Sequence, residues 1–257
     1  MDWSRVSSID EDCVAYRSWK SWDADSFGYV SAAAAAEFRA ELLRSGVGGG
    51  PETTVLEIGL GNGSFASWAV SMGWGFVGTE RDPELVERAR RAGLEAHGAG
   101  RPLAEIAGGR LFDAVIAFDV LEHLSVVDII ALLKAIKPIL KAEGRVIARF
   151  PSGDSPFARS IQHGDLTHVT VIGSGIVRQF ALITGYRVLQ VRAPVLPVTG
   201  LGPVHWARRC TLRALRKGIA WLVNIAFHDA QPRIVEPNMV AVLQPMPQND
   251  DPVSAMA

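Results

Sequence analysis

Between Thr53 and Val191 the chain alternates short apolar runs of strand length with longer stretches whose apolar residues recur at helical spacing. The runs are "TTVLEI" (53–58), "GFVGTE" (75–80), "LEAH" (94–97), "FDAVIAF" (112–118), "GRVIARF" (144–150) and "YRVLQV" (186–191), with a late "NMVAVLQ" (238–244). Between them, Phe65, Trp68, Ala69 and Met72 share one helical face. So do Leu85, Val86, Ala89 and Ala92, then Val126, Ile129, Ile130, Leu133, Ile136 and Leu140, and finally "GIVRQFALI" (175–183). Strands that are apolar on both faces, separated by amphipathic helices, imply a parallel sheet covered on both sides. The expected class is α/β: a doubly wound, mostly parallel seven-stranded sheet with an antiparallel edge strand. Local punctuation agrees. Asp82 and Pro83 form an N-cap and first helical position, and Ser125 with Asp128 forms a capping-box-like start.

The totals exclude several function classes. Lys and Arg number 26 against 27 Asp and Glu, so no overall basic bias supports nucleic-acid binding. Cys13 and Cys210 are the only cysteines and lie far apart, which argues against a disulfide framework or a thiolate metal site and suits a reducing cytoplasm. The polar start "MDWSRVSSIDED" is not a secretory signal, and no apolar run approaches the ~20 residues of a spanning helix.

The first apolar run leads into "VLEIGLGNGSF" (55–65), with Gly59, Gly61 and Gly63 at alternate positions. Such a cluster costs backbone entropy unless positive φ angles or a close approach require it. In open α/β sheets, ligands bind beyond the carboxyl ends of the strands, so this first turn is the place to look. A dinucleotide fingerprint would read G-x-G-x-x-G, but Ser64 stands where its third glycine belongs. A phosphate-binding P-loop is excluded because no Gly-Lys-Ser/Thr follows. An NAD(P)-dependent oxidoreductase using the same turn remains an alternative, as does a non-catalytic cofactor-binding module.

The pattern Glu57-x-Gly59-x-Gly61-x-Gly63, with Glu80 closing the second run and "FDAVIAFDVLEHL" (112–124) at the fourth, resembles the class I S-adenosylmethionine-dependent methyltransferases. The resemblance covers residues 53–192. It implies a Rossmann-like methyltransferase fold, S-adenosylmethionine as cofactor and S-adenosylhomocysteine as product. By the same resemblance, Gly59, Leu60, Gly61 and Gly63 line the methionine and adenosine. Glu57 acts through the loop or the methionine ammonium, and Glu80 holds the ribose. Asp119 or the Phe118 carbonyl lies near the methionine end. The family often has an acid after the third strand to read the adenine amino group. This chain has "HGAGRPL" (97–103) there, leaving the adenine to backbone around Gly98–Gly100, to Arg81 or to Leu103.

Methyl transfer to oxygen requires removal of a proton, so a base is expected on a loop at the carboxyl ends of the strands. His123, His163 and His168 qualify by position. "HGDLTHVT" (163–170) resembles an Asp-x-Thr-His stretch of some methyltransferases, including glycan-linked ones. His168 is the expected general base or acceptor contact and Asp165 its orienter. The competing reading has Asp165 capping the next turn and His168 bonding backbone. His123, part of the common family string, is expected to be structural. The spacing of His163, Asp165 and His168 matches no strong ligand pattern, so no metal is expected.

The domain reading is a helical cap over residues 1–50, the cofactor-binding core over 51–192, a helical insertion on the active-site face over 193–237, and a final edge strand and tail over 238–257. In the cap, "WDADSFGYV" (22–30) closes over the cofactor or packs plainly through Trp22, Phe27 and Tyr29. Within the insertion, residues 204–227 carry Arg208, Arg209, Arg213, Arg216 and Lys217 beside Trp206, Trp221 and Phe227. Three readings stay open for that stretch: a lid with its apolar side on the core, a contact for an anionic acceptor such as a nucleotide-sugar or lipid-linked glycan, and peripheral attachment to the inner membrane face.

Overall fold

The computed structural model describes residues 9–198, 202–228 and 233–247; Trp3, residues 199–201 of the insertion and residues 248–257 of the tail lie outside them. One sheet holds β1 (Thr54–Ile58), β2 (Gly75–Glu80), β3 (Ala96–Gly98), β4 (Phe112–Phe118), β5 (Leu140–Pro151), β6 (Tyr186–Arg192) and β7 (Asn238–Pro245), in the order β3-β2-β1-β4-β5-β7-β6. All neighbours are parallel except β7, which runs antiparallel to both β5 and β6. The helices are α1 (Ile9–Trp19), α2 (Ala32–Arg44), α3 (Ser64–Ser71), α4 (Pro83–Arg91), α5 (Leu103–Ala107), α6 (Val126–Ile136), α7 (Arg159–Gln162), α8 (Ser174–Thr184) and α9 (Pro203–Phe227).

Each interior strand feeds two cores. In β1 and β4, Leu56, Ile58, Val115 and Ala117 face one apolar cluster, while Val55, Ala114 and Ile116 face the other. The first cluster is closed by Ile129, Leu133 and Ile136 of α6 and Val177 and Phe180 of α8. The second is closed by Leu42 of α2, Phe65, Trp68 and Ala69 of α3, and Val86 of α4. The doubly wound class expected from the sequence is therefore the fold observed. The predicted caps also form: Asp82 Oδ1 accepts from Glu84 N–H at 2.9 Å, and Ser125 Oγ accepts from Asp128 N–H at 3.2 Å.

Three details differ from the sequence reading. The stripe from Val126 to Leu140 is one helix only as far as Ile136, because Pro138 breaks it into a single 3₁₀ turn and Leu140 begins β5. The third strand starts at Ala96, two residues later than expected, since Leu94 packs into the core as the chain leaves α4. The last strand lies one place inside the border, and β6 forms the edge. Burial explains the exchange. Met239 to Leu243 are buried on both faces, whereas β6 carries Arg187, Gln190 and Arg192 and is only half-buried beyond Tyr186.

Ile147 sits at the middle of β5, paired with Ile116 of β4 and Val242 of β7, and is fully buried. Ile147→Ala is expected to lower unfolding free energy by about 2–5 kcal/mol in urea titrations. Leu166→Ala, at a fully exposed side chain, should change it by less than about 0.5 kcal/mol.

Candidate active site

After β1 the chain turns sharply through Gly59, Gly61 and Gly63, whose φ angles are 72°, 52° and 71°, a region that L side chains rarely adopt. The N–H groups of Gly59 and Leu60 both donate to the Thr79 carbonyl, at 2.8 and 3.0 Å. Glu80 Oε2 accepts from Gly61 N–H at 2.9 Å, and its Oε1 accepts from the N–H groups of Arg81 and Asp82 at 2.7 and 3.1 Å. One carboxylate thus joins the glycine loop, the end of β2 and the entry to α4.

The glycines also make room for protein. A Cβ at Gly61 would lie 3.1 Å from the Trp22 ring, one at Gly63 2.6 Å from the Phe27 ring, and one at Gly59 2.7 Å from Val120. The space beside Gly61 and Gly63 is therefore taken by cap aromatics. Backbone bonds seal this junction. Gly28 N–H donates to the Asn62 carbonyl at 2.7 Å, and Ser64 Oγ donates to the Tyr29 carbonyl at 2.9 Å. Trp22 and Phe27 pack against the loop, while the Tyr29 side chain is exposed.

Glu57, inside β1, is buried and its Oε2 has no hydrogen-bond partner. Burial, with the charge of Glu80 added, holds its carboxyl well above the usual carboxylate range. Leu60 is buried beneath the loop and Arg81 is exposed at its rim. At the end of β4, Phe118 meets Phe65 edge-on at 5.7 Å between ring centroids, and the Arg149 guanidinium lies 4.8 Å above its ring. Asp119 adopts φ 57° and pairs with Arg149.

A second group gathers where the loop after β4 meets the loop after β5. His168 Nε2 lies 3.6 Å from Asp165 Oδ2 and 4.0 Å from Glu122 Oε1. The rings of His123 and His168 meet edge-on at 4.7 Å. Asp165 and His168 are thus brought together, but Asp165 stands on the Nε2 side. The atom that fixes the ring is the Gln162 carbonyl, 3.1 Å from Nδ1. Asp165 also caps its turn, since Oδ1 accepts from Thr167 N–H at 3.0 Å. His163 is exposed and outside the group. The sequence reading passed over Glu122 and treated His123 as structural; the string "DVLEHL" was their only signal. Burial first, then the charge of Asp119, pushes the Glu122 carboxyl up to about 8. From α1, Tyr16 meets His123 edge-on at 6.1 Å, and just past the end of that helix Lys20 Nζ lies 3.6 Å from Asp165 Oδ2.

Residues 29–191 match the family model described as a methyltransferase domain. The chain belongs to that family and, within it, to the class I S-adenosylmethionine-dependent methyltransferases. That assignment replaces the oxidoreductase alternative. No curated protein matches the chain in sequence. Solved structures share its fold. One is a SAM-dependent methyltransferase from Archaeoglobus fulgidus, 14% identical with a TM-score of 0.57, covering 80% of this chain and 92% of that one. The mitomycin 7-O-methyltransferase MmcR is 17% identical with a TM-score of 0.53, over 82% of this chain and 53% of its own. The calicheamicin-biosynthesis methyltransferase CalO1, in an S-adenosylhomocysteine-bound form, is 14% identical with a TM-score of 0.52, over 91% and 57%.

The residues present fit S-adenosylmethionine. Its sulfonium and ammonium are cationic, and the glycine turn is flanked by an unpartnered buried carboxyl oxygen on Glu57 of β1 and by the carboxylate of Glu80 at the end of β2. The same burial has a cost for stability. Because the folded-state pKa of Glu57 is raised, the unfolded chain ionises first, and stability falls as pH rises above the ordinary carboxylate value. Glu57→Gln is expected to raise the melting temperature of the ligand-free protein at pH 7–8 relative to pH 4–5, and to weaken S-adenosylmethionine binding at least about tenfold. Differential scanning calorimetry and isothermal titration check the two halves separately.

Proposed function

We propose that this methyltransferase acts at an oxygen of a small or glycan-like acceptor that carries negative charge. The observation that carries the reading is the histidine–carboxylate group of Glu122, His123, Asp165 and His168, at the carboxyl ends of β4 and β5. A sulfonium methyl is transferred by in-line displacement, which asks the protein mainly for alignment and exclusion of water. An oxygen acceptor asks in addition for help with its proton, which a histidine–carboxylate group can give.

In this reading Gly59, Leu60, Gly61 and Gly63 border the methionine and adenosine, Glu57 faces the ammonium, and Glu80 takes the ribose hydroxyls with Arg81 beside it. Phe118 and Asp119 flank the methionine end. His168 and Asp165 serve the acceptor. Residues 1–50 act as a cap and 193–237 as the acceptor-selecting insertion. His168→Ala should lower methyl transfer at least about a hundredfold while S-adenosylhomocysteine affinity stays within about twofold. The assay is transfer of labelled methyl to a panel of phosphorylated glycans, with the product recovered as a methyl ether. Recovery of N-methyl products alone would overturn the oxygen assignment.

The insertion supports an acceptor presented at an anionic membrane surface. A lid with its apolar side on the core is not what α9 forms, for it has no buried residue. It meets the body along Arg209, Leu212, Val223 and Asn224, and turns Val204, Leu215, Trp221, Leu222 and Ile225 outward. Arg209 is held by Glu37 of α2 at 2.8 Å. Arg208, Arg213, Arg216 and Lys217 are exposed, and α9 contains no acidic residue. An exposed apolar side with cations around it is the pattern of a helix lying in a lipid headgroup layer. No helix among the described residues is long and apolar enough to cross a membrane. The protein is read as peripheral, at the inner face. It should co-sediment with vesicles containing phosphatidylglycerol, release as salt is raised, and bind at least about tenfold more weakly as the Arg213→Glu/Lys217→Glu variant. Equal binding to neutral vesicles would overturn the electrostatic part.

A further inference from the structure

Glu122 and Asp165 are buried, at 1% and 8% exposure, and each keeps one carboxyl oxygen, Oε2 and Oδ2, without a hydrogen-bond partner. The two histidines beside them have their tautomers set. The Gln162 carbonyl can only accept, so His168 carries its proton on Nδ1 and leaves the Nε2 lone pair free. The Thr167 hydroxyl donates to Asp165 Oδ1 at 2.6 Å, so toward His123 Nδ1, at 2.8 Å, it accepts. The Thr167 carbonyl, 3.3 Å from the same nitrogen, also accepts. His123 is therefore protonated on Nδ1 as well, with its Nε2 lone pair free. Two imidazole lone pairs and two unpartnered buried carboxyl oxygens share one place, and neither imidazole N–H is directed into it. Such an arrangement is costly at low dielectric unless a cation joins it. Lys20 approaches Asp165 alone, from outside, at 3.6 Å.

We infer that Glu122, His123 and His168 bind one divalent transition-metal cation, with Asp165 as the adjoining carboxylate. One ligand atom from each of the three lies within 4.8 Å of the others. Bonds of about 2.0–2.2 Å would require these atoms to close in by about an ångström. Mixed imidazole and carboxylate ligands suit zinc, manganese or ferrous iron better than magnesium or a thiolate-seeking ion. The outer partners are those such ligands use: a backbone carbonyl on His168, and a Thr167–Asp165 chain on His123. The set differs from the His163, Asp165, His168 triplet considered in the sequence, because His163 is exposed outside the group and Glu122 and His123 arrive from the loop after β4.

The binding site stands independently of the acceptor; its use in catalysis rests on the oxygen-methylation reading. There, an acceptor hydroxyl on the ion loses its proton to solvent and attacks the methyl carbon. The sulfur–methyl bond breaks as the oxygen–methyl bond forms, and S-adenosylhomocysteine leaves. The test needs no acceptor. Untagged full-length protein, stripped with EDTA, is titrated with Zn²⁺ by calorimetry and with Co²⁺ by visible absorption. One equivalent should bind, and Glu122→Gln, His123→Ala and His168→Ala should each weaken binding more than about tenfold, while His163→Ala leaves it unchanged. If the wild-type protein takes up no stoichiometric ion, or if the three variants retain its affinity, the cluster holds a shared proton instead and the inference is overturned.

Discussion

The carboxylate of Glu80 is the joint on which the catalytic end of this protein depends. Three backbone N–H groups converge on it, from Gly61 in the glycine turn and from Arg81 and Asp82 at the start of the next helix. Charged hydrogen bonds of this kind contribute about 1.5–3 kcal/mol each, less where solvent reaches them. Without them Gly61 would lose its bond to β2, and the start of the turn would be tied to that strand only through Gly59 and Leu60 on the Thr79 carbonyl. The loop is also braced from above. Trp22 and Phe27 occupy the niches that Gly61 and Gly63 leave open, so cap and turn define each other's positions.

The fold was legible because its signals are local. Apolar runs on both faces, Asp82 and Ser125 as caps, and the acids Glu57 and Glu80 around the glycines act within a few residues or one βα unit. The cofactor turn was legible for the same reason. The inward position of β7 was missed, although its unbroken apolar run, against the charged alternation of β6, carries the signal.

The histidine–carboxylate group was less so. His168 and Asp165 could be picked out by chemistry, but what surrounds them is set by contacts across the chain. The Thr167–His123 bond joins residues 44 positions apart, and Tyr16 and Lys20 arrive from α1 and the turn that follows it. The orienting group for His168 is a backbone carbonyl, which any residue at position 162 would provide, so no side-chain signature marks it. The outward apolar side of α9 was hidden too, because periodicity reveals that a helix has two faces without saying which one meets the body.

The single antiparallel strand has a consequence for how this scaffold accommodates new chemistry. β6 ends, and β7 begins, on the same rim of the sheet as the glycine turn and the histidine loops. The whole excursion that carries α9 therefore leaves and re-enters at one border as an outsized hairpin link, held at its root by Arg192 and Val195 on Glu41. Lengthening such a link costs only about 0.6 kcal/mol of closure entropy per doubling. The excursion between β6 and β7 can thus be lengthened or rebuilt while every buried strand keeps its register, which separates change on that rim from the stability of the core.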